Sequence, residues 1–141
     1  IAGPVAQVLS ARSSLRLLLV SATGIGLAQG ILDEIARLQS NRPSQISLDR
    51  ADEAVAKLES HLDSLGTEEV VEQRVIDALR IRVNQLLVRL GGVLMVVAKG
   101  SGYQRKSTAQ RLAAEAMFFC VWSASSGVCE QTVDHLLDFD A

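Results

Sequence analysis

The sequence has few aromatic residues, only two cysteines and no large excess of charge of either sign. Aromatic side chains make up 4% of its 141 residues, which is typical of helices packed through Ala, Leu and Val. The net charge of −2 argues against a phosphate-binding surface covering the molecule. Hydrophobic residues at 48% and charged residues at 21% instead indicate one globular domain, residues 1–141, with a core of its own.

A basic signal-peptide start, an initiator Met and a long apolar run are also missing. The most apolar stretch, residues 17–28, contains Ser21, Thr23 and Gly24, and it falls short of the roughly 20 residues that a span needs. We therefore expect no membrane segment and a cytoplasmic chain. The missing Met leads us to expect a processed chain or a piece of a longer one.

The cysteines and histidines give no sign of a disulfide or a metal site. Cys120 and Cys129 would stand roughly 13 Å apart on one continuous helix, too far to bridge, so we expect reduced thiols. His61 and His135 are isolated, without a second ligand at metal-binding spacing, so we expect surface histidines and no metal.

Apolar residues recur at helical spacing along most of the chain, and nothing in the pattern favours strands. The pattern predicts an all-α fold: an antiparallel, up-down four-helix bundle with a short final helix. The predicted helices run from Pro4 to about Ser40, from Ser47 to just before Gly66, from Thr67 to about Lys99, from Ser107 or Thr108 to about Trp122, and from Val128 to Leu137.

Three glycines interrupt the first predicted helix: Gly24, Gly26 and Gly30. Each costs up to about 1 kcal/mol relative to Ala inside a helix. Close approach of a neighbouring helix or of a ligand can offset that cost, and the pattern favours helix packing.

Arginines lie on one side of the third predicted helix, at Arg74, Arg80, Arg82 and Arg89. No aromatic residues interleave with them and acidic residues are close by, so the pattern does not favour nucleic-acid binding. We interpret this basic side as forming salt links to other helices or subunits.

The most distinctive stretch begins at Gly100-Ser101-Gly102-Tyr103 and ends at Trp122-Ser123-Ala124-Ser125. Glycines at 100 and 102 allow a tight turn or close contact with a flat ligand. Arg111-Leu112 lies between the two turns. The whole stretch resembles the C-terminal helical domain of the acyl-CoA dehydrogenase family, in which a Gly-x-Gly-aromatic turn and an Arg-Leu pair precede a helix that runs into a Tyr-Glu-Gly-Thr turn.

A second landmark of the resemblance is Gly26-Leu27-Ala28-Gln29, followed by Leu32-Asp33-Glu34. In the family this helix leads to an arginine and a hydroxyl residue that contact the flavin of a neighbouring subunit; Arg42 and Ser44 stand at those places. The resemblance implies FAD as cofactor, which this domain is not expected to bind alone. It assigns five residues to FAD binding: Arg42, Ser44, Gly100, Gly102 and Ser125. The aromatic-glycine pair that follows in the family is replaced by Gln45-Ile46.

The family's catalytic base is missing from both of its usual positions. Ser123 stands where most members carry the glutamate that removes the α proton, and a serine is no general base at neutral pH. A minority of members place the base on the first helix, at or near Arg16 here, which leaves Arg16 as a candidate substrate contact. Glu115 is acidic, but the resemblance gives it no role as the base.

Three interpretations remain open. The chain is the C-terminal domain of an acyl-CoA dehydrogenase-like oxidoreductase of lipid metabolism, inactive by itself. Alternatively, it is a non-catalytic subunit whose partner supplies the base, or a structural helical module for oligomerisation. The resemblance implies a dimer or a dimer of dimers, or a hetero-oligomer with a catalytic subunit, with acyl-CoA as a possible ligand.

Overall fold

The computed structural model describes residues 4–139, with side chains described from residue 13 onward. The chain is all-helical, as predicted, and no strand occurs between residues 4 and 139. Five α-helices follow one another, and a 3₁₀ turn at Lys99–Tyr103 separates the third from the fourth: α1 Pro4–Gln39, α2 Asp49–Gly66, α3 Gln73–Ala98, α4 Thr108–Val121 and α5 Ser126–Leu137.

The predicted start of the third helix at Thr67 is wrong. Thr67 closes α2 instead, since both its backbone N–H and its hydroxyl donate to the carbonyl of Ser64. The chain then bends at Glu69 and Val70, Glu72 is extended, and α3 begins at Gln73. Val71 is buried and anchors this connection in the core.

Helix α3 lies at the centre of the fold and packs against each of the other four helices. Its side chains at Leu79, Leu87 and Leu94 are fully buried, at the seven- to eight-residue spacing of one helix face. Helix α1 supplies the largest opposing surface through Ile31 and Ile35.

Contacts between individual residues of neighbouring helices give the relative directions of the helices. Gly24 of α1 lies beside Val83 of α3, and Arg42, just beyond α1, reaches Val97 near the end of α3, so α1 and α3 run parallel. Helix α2 runs the opposite way. It begins shortly after Arg42, which bonds to Val97 near the end of α3, whereas His61 in its second half contacts Arg82.

Helix α4 also runs antiparallel to α3, with Cys120 beside Asn84 and Ala116 beside Gly91. Helix α5 then packs on the N-terminal half of α3, where Thr132 meets Asn84. The two turns that the sequence singled out, at residues 100–103 and 122–125, flank α4.

Two helices are long and apolar enough to cross a membrane by length and composition alone, within Ser13–Gln39 and Gln73–Tyr103. The expectation that no segment qualifies is therefore wrong with respect to length and composition. About half of each apolar window is buried inside the fold, 44% and 50%, and the core helices of soluble proteins pass the same test.

Candidate functional site

The C-terminal ends of α1 and α3 bring Arg42 close to the glycine turn. Arg42 is half-buried, and its Nη2 donates a 2.7 Å hydrogen bond to the carbonyl oxygen of Val97. This bond satisfies a backbone acceptor in the last turn of α3, where helices leave carbonyls unpaired. Ser44 is exposed two residues further on. Arg42, Ser44 and the Gly100–Gly102 segment thus share one end of the molecule.

The glycines of this turn do not supply its unusual backbone angles, contrary to expectation. Neither Gly100 nor Gly102 has a positive φ; the left-handed conformation falls on Lys99 and Lys106, with φ of 53° and 71°. Gly102 is buried, and a Cβ there would lie 2.9 Å from the Cβ of Ala98, so it allows the chain to approach itself. Gly100 is exposed, with open space around it.

The other end of α4 carries Ser123, the residue at the position of the missing base. Helix α4 ends at Val121, and Trp122 is its C-cap residue. Ser123 follows with φ of 56°, a left-handed conformation that costs most non-glycine residues free energy. Ser125 then caps α5, its hydroxyl accepting a hydrogen bond from the N–H of Val128.

A cavity of about 160 Å³, here called the Arg80 cavity, lies under this turn. Leu17 and Val20 of α1 and Ile76 of α3 give it apolar walls, while Arg80 and the Ser123–Ser125 turn give it polar ones. Arg16, the candidate substrate contact, is exposed on α1 next to Leu17.

Arg80 is the residue that sequence reasoning placed wrongly. It is only 6% exposed, and it forms no salt bridge with a described residue, contrary to the predicted salt links of this basic side. Its Nη2 donates to the carbonyl oxygens of Phe119 and Trp122, at 2.5 and 2.8 Å, and its guanidinium carbon lies 3.8 Å from the centre of the Phe119 ring. Burial lowers the pKa of Arg80 to about 10, so the group is still a cation at neutral pH.

A polar network continues from Arg80 toward α5. Asn84 is fully buried, and its Nδ2 donates to the hydroxyl of Thr132 and to the carbonyl of Cys120. Cys120 and Cys129 are both free thiols, as expected, and burial raises the pKa of the Cys120 thiol. The network ties α3, α4 and α5 together beneath the Ser123 turn.

Carboxylates able to act as a base are scarce around both ends of α4. Glu34 is the one buried carboxylate among residues 13–139; the hydrogen bond from Arg37 lowers its pKa, so it accepts protons poorly. Glu115 forms a 2.8 Å ion pair with Arg111. Asp77 lines the Arg80 cavity, and one of its oxygens accepts a hydrogen bond from Gln73.

The six candidate residues therefore divide between two places. Arg42, Ser44, Gly100 and Gly102 lie at one end of α4, and Ser125 and Arg16 lie at the other. The 14 residues of α4 separate these groups by roughly 20 Å at 1.5 Å per residue. No group of three or more His, Cys, Asp or Glu residues that could hold a metal ion occurs in the described part of the chain.

Comparison with known proteins finds no relative of this chain. No family model, no curated protein and no solved structure matches the chain.

Proposed function

We propose that this chain is the C-terminal helical domain of a flavoprotein similar to the acyl-CoA dehydrogenases, in which it contributes FAD contacts and subunit association but no catalytic base. In this proposal α1 to α4 form an antiparallel, up-down four-helix bundle, and α5 is the short final helix. Arg42 and Ser44 contact the FAD of a neighbouring subunit together with Gly100 and Gly102. Ser125 contributes a further FAD contact from the opposite end of α4, and Arg16 contacts acyl-CoA.

The observation that carries the proposal is the convergence of Arg42 on the glycine turn. These residues are more than 50 positions apart in sequence, yet Arg42 bonds to Val97, three residues before Gly100. The resemblance requires them to serve one cofactor, which they could do only from the same end of the fold. The parallel direction of α1 and α3 supports the same arrangement.

An exposed apolar face on α4 supports subunit association. Phe118, Val121 and Trp122 are 63%, 64% and 44% exposed, at spacings that place them on one side of the helix. Ala114, one turn before Phe118, continues the same face and is also exposed. Contiguous exposed apolar surface of this kind is typical of interaction sites. A second copy of the chain and a catalytic partner subunit both fit the proposal.

The environment of Ser123 supports the absence of a base. A glutamate in this left-handed position would stand beside the Arg80 cavity, whereas the serine offers only a hydroxyl. We therefore propose that the chain by itself does not catalyse dehydrogenation. A Ser123→Glu variant of the complete native protein, assayed with acyl-CoA and an electron acceptor, should gain activity if this position is the family's base.

Flavin retention by the complete native protein tests the proposal most simply. Arg42→Ala should weaken FAD binding, while Arg105→Ala, which removes an exposed charge from the turn before α4, serves as the matched control. Equal FAD content in the two variants and the wild type would show that Arg42 does not contact FAD.

A structural helical module is the second candidate function. The exposed face of α4 favours it equally, and it requires no cofactor. Absence of flavin from the complete native protein, together with stable self-association in light scattering, would select this candidate over the first.

A further inference from the structure

A groove between α2 and α3 is lined by four cationic side chains: Arg50, Lys57, Arg82 and Arg89. All four are exposed. This α2–α3 groove contains one carboxylate among the described residues, Glu53, so its lining carries an excess of three positive charges. Glu53 already forms an ion pair with Lys57, in which Nζ lies 2.7 Å from Oε1. On a chain whose net charge is −2, this local excess marks a surface suited to an anion.

The three arginines of the groove have no acidic partner in the described part of the chain. No carboxylate of residues 13–139 lies within 4 Å of the guanidinium of Arg50, Arg82 or Arg89. Arg82 contacts a ring nitrogen of His61 instead, with 3.3 Å between Nη1 and Nδ1. Each guanidinium presents five N–H donors and stays charged at physiological pH, so most of these donors are free to bind an anion.

The size of the α2–α3 groove favours a small ligand over a protein segment. Its volume is about 310 Å³, at the lower end of the range of small-molecule sites, about 300–1,000 Å³. An α-helix of a partner protein, with a diameter of about 10–12 Å including side chains, is too wide to enter it. No aromatic side chain of the described residues lines the groove, so it offers no surface for stacking a nucleobase.

The spacing of the cations indicates an elongated anion. On each of the two helices the two cations are seven residues apart, roughly 10 Å at 1.5 Å per residue. Seven residues are close to two turns, so each pair lies on one side of its helix. Arginine binds phosphoryl oxygens through two parallel N–H donors. A single phosphate would engage one end of the groove, whereas a chain of phosphates can engage both.

We propose that the α2–α3 groove binds a linear oligophosphate, either free or as the phosphate chain of a nucleotide. Because α2 and α3 are antiparallel, Arg50 and Arg89 bind one part of the chain of phosphates, and Lys57 and Arg82 bind the other. The groove shares no residue with the proposed FAD contacts, so this site goes beyond the proposed flavin function and stands or falls independently of it.

Titration of the 141-residue chain with tripolyphosphate tests the site, followed by the backbone amide NMR signals of Ala54 and Gln85, which line the groove. The expected result is saturable shifts, with binding of orthophosphate and of hexaglutamate at least about tenfold weaker. ATP binding as tight as that of tripolyphosphate would identify the phosphate chain of nucleotides as the ligand, and weaker ATP binding would identify free oligophosphate.

Three results of this titration would overturn the proposal. Absence of saturable shifts with tripolyphosphate would show that the groove is no anion site. Orthophosphate binding as tightly as tripolyphosphate would show that the length of the anion has no part. Equal binding of hexaglutamate would instead favour an acidic segment of a partner protein.

Variants separate the groove from the general charge of the chain. Arg50→Gln and Arg89→Gln together should weaken tripolyphosphate binding at least about tenfold, and neither change removes an ion pair of the fold. Arg105→Gln removes an exposed charge from the turn before α4 and should leave binding unchanged. Equal weakening by Arg105→Gln would contradict a defined site.

The carboxylate of the groove provides a test in the opposite direction. Glu53→Gln removes the one negative charge of the lining and frees Lys57 from its ion pair, so it should tighten tripolyphosphate binding by about threefold. A purely structural effect of the substitution would not tighten binding. Unchanged or weaker binding in Glu53→Gln would place the ligand outside the groove.

Discussion

The ring of Phe119 occupies the space that a side chain on Gly24 would need. A Cβ built on Gly24 would lie 2.5 Å from Phe119 Cζ and 2.5 Å from Val83 Cγ1, so this glycine lets α1, α3 and α4 meet. No such contact exists at Gly26, where a Cβ would meet nothing within 4 Å. The close packing of the three helices thus requires glycine at position 24 but not at position 26, half a turn further along the same helix.

Gly24→Ala should therefore destabilise the fold, and Gly26→Ala should stabilise it. Forcing a methyl group into a packed core costs typically about 1–3 kcal/mol. At Gly26 the same change gains up to about 1 kcal/mol of helix propensity without a clash. Chemical denaturation of both variants measures the difference. Equal effects of the two changes would contradict the close packing at Gly24.

The ion pair of Glu34 with Arg37 should make stability depend on pH in the acid range. The hydrogen bond from Arg37 lowers the pKa of Glu34 in the folded state below its ordinary value of 4.5. The stabilisation is therefore complete above the unfolded-state pKa and is lost as pH falls through the lower folded-state value.

Glu34→Gln should cost up to about 1 kcal/mol at neutral pH, and the cost should shrink below about pH 4.5. Glu53→Gln is the matched control. Glu53 pairs with Lys57 on an exposed surface, so its substitution should change the free energy of unfolding little. Denaturation curves between pH 3 and pH 7 measure both. A cost for Glu34→Gln that is independent of pH would argue against the pairing.

Ser123 holds a left-handed conformation that glycine adopts freely. We expect Ser123→Gly to stabilise the chain by about 0.5–1 kcal/mol, after allowing for the greater freedom of glycine in the unfolded state. Ser60→Gly, at an exposed position inside α2, should instead destabilise it by about 0.5 kcal/mol. Thermal unfolding of the pair checks this, and a loss of stability at both positions would rule out the positive φ of Ser123.

The exposed face of α4 should control association. Phe118→Asp places a charge at its centre and should shift the chain toward smaller species in size-exclusion chromatography with light scattering. Val70→Asp is the control, since Val70 is 77% exposed in the connection between α2 and α3. If Phe118→Asp and wild type have the same mass while the wild type is oligomeric, a different surface forms the interface.

Helical periodicity was sufficient for the element types and for most of their ends. Helix α1 ends at Gln39, one residue from its expected end, because Pro43 disfavours continuation of the helix. Ser107 caps α4 as expected, accepting a hydrogen bond from the N–H of Gln110. Thr67 misled the prediction because threonine followed by glutamates is typical of a helix start, whereas its hydroxyl here bonds backward to α2.

Residues of the candidate site were harder to predict, because their roles depend on which helices meet. The sequence does not distinguish Gly24 from Gly26, since only the position of Phe119, 95 residues away, decides between them. Arg80 was grouped by its charge with the other arginines of the basic side. Its place in the series Ile76, Leu79, Arg80 and Val83 is nevertheless the apolar stripe of α3, and that spacing could have indicated burial.

The FAD content of the complete native protein tests the central claim most directly. The protein is purified from its native open reading frame without added flavin, and FAD is measured by absorbance after denaturation, relative to protein. The account predicts FAD in an amount equimolar with this chain, and a clear loss in Arg42→Ala. A wild-type protein that carries no FAD and binds none on titration would contradict it.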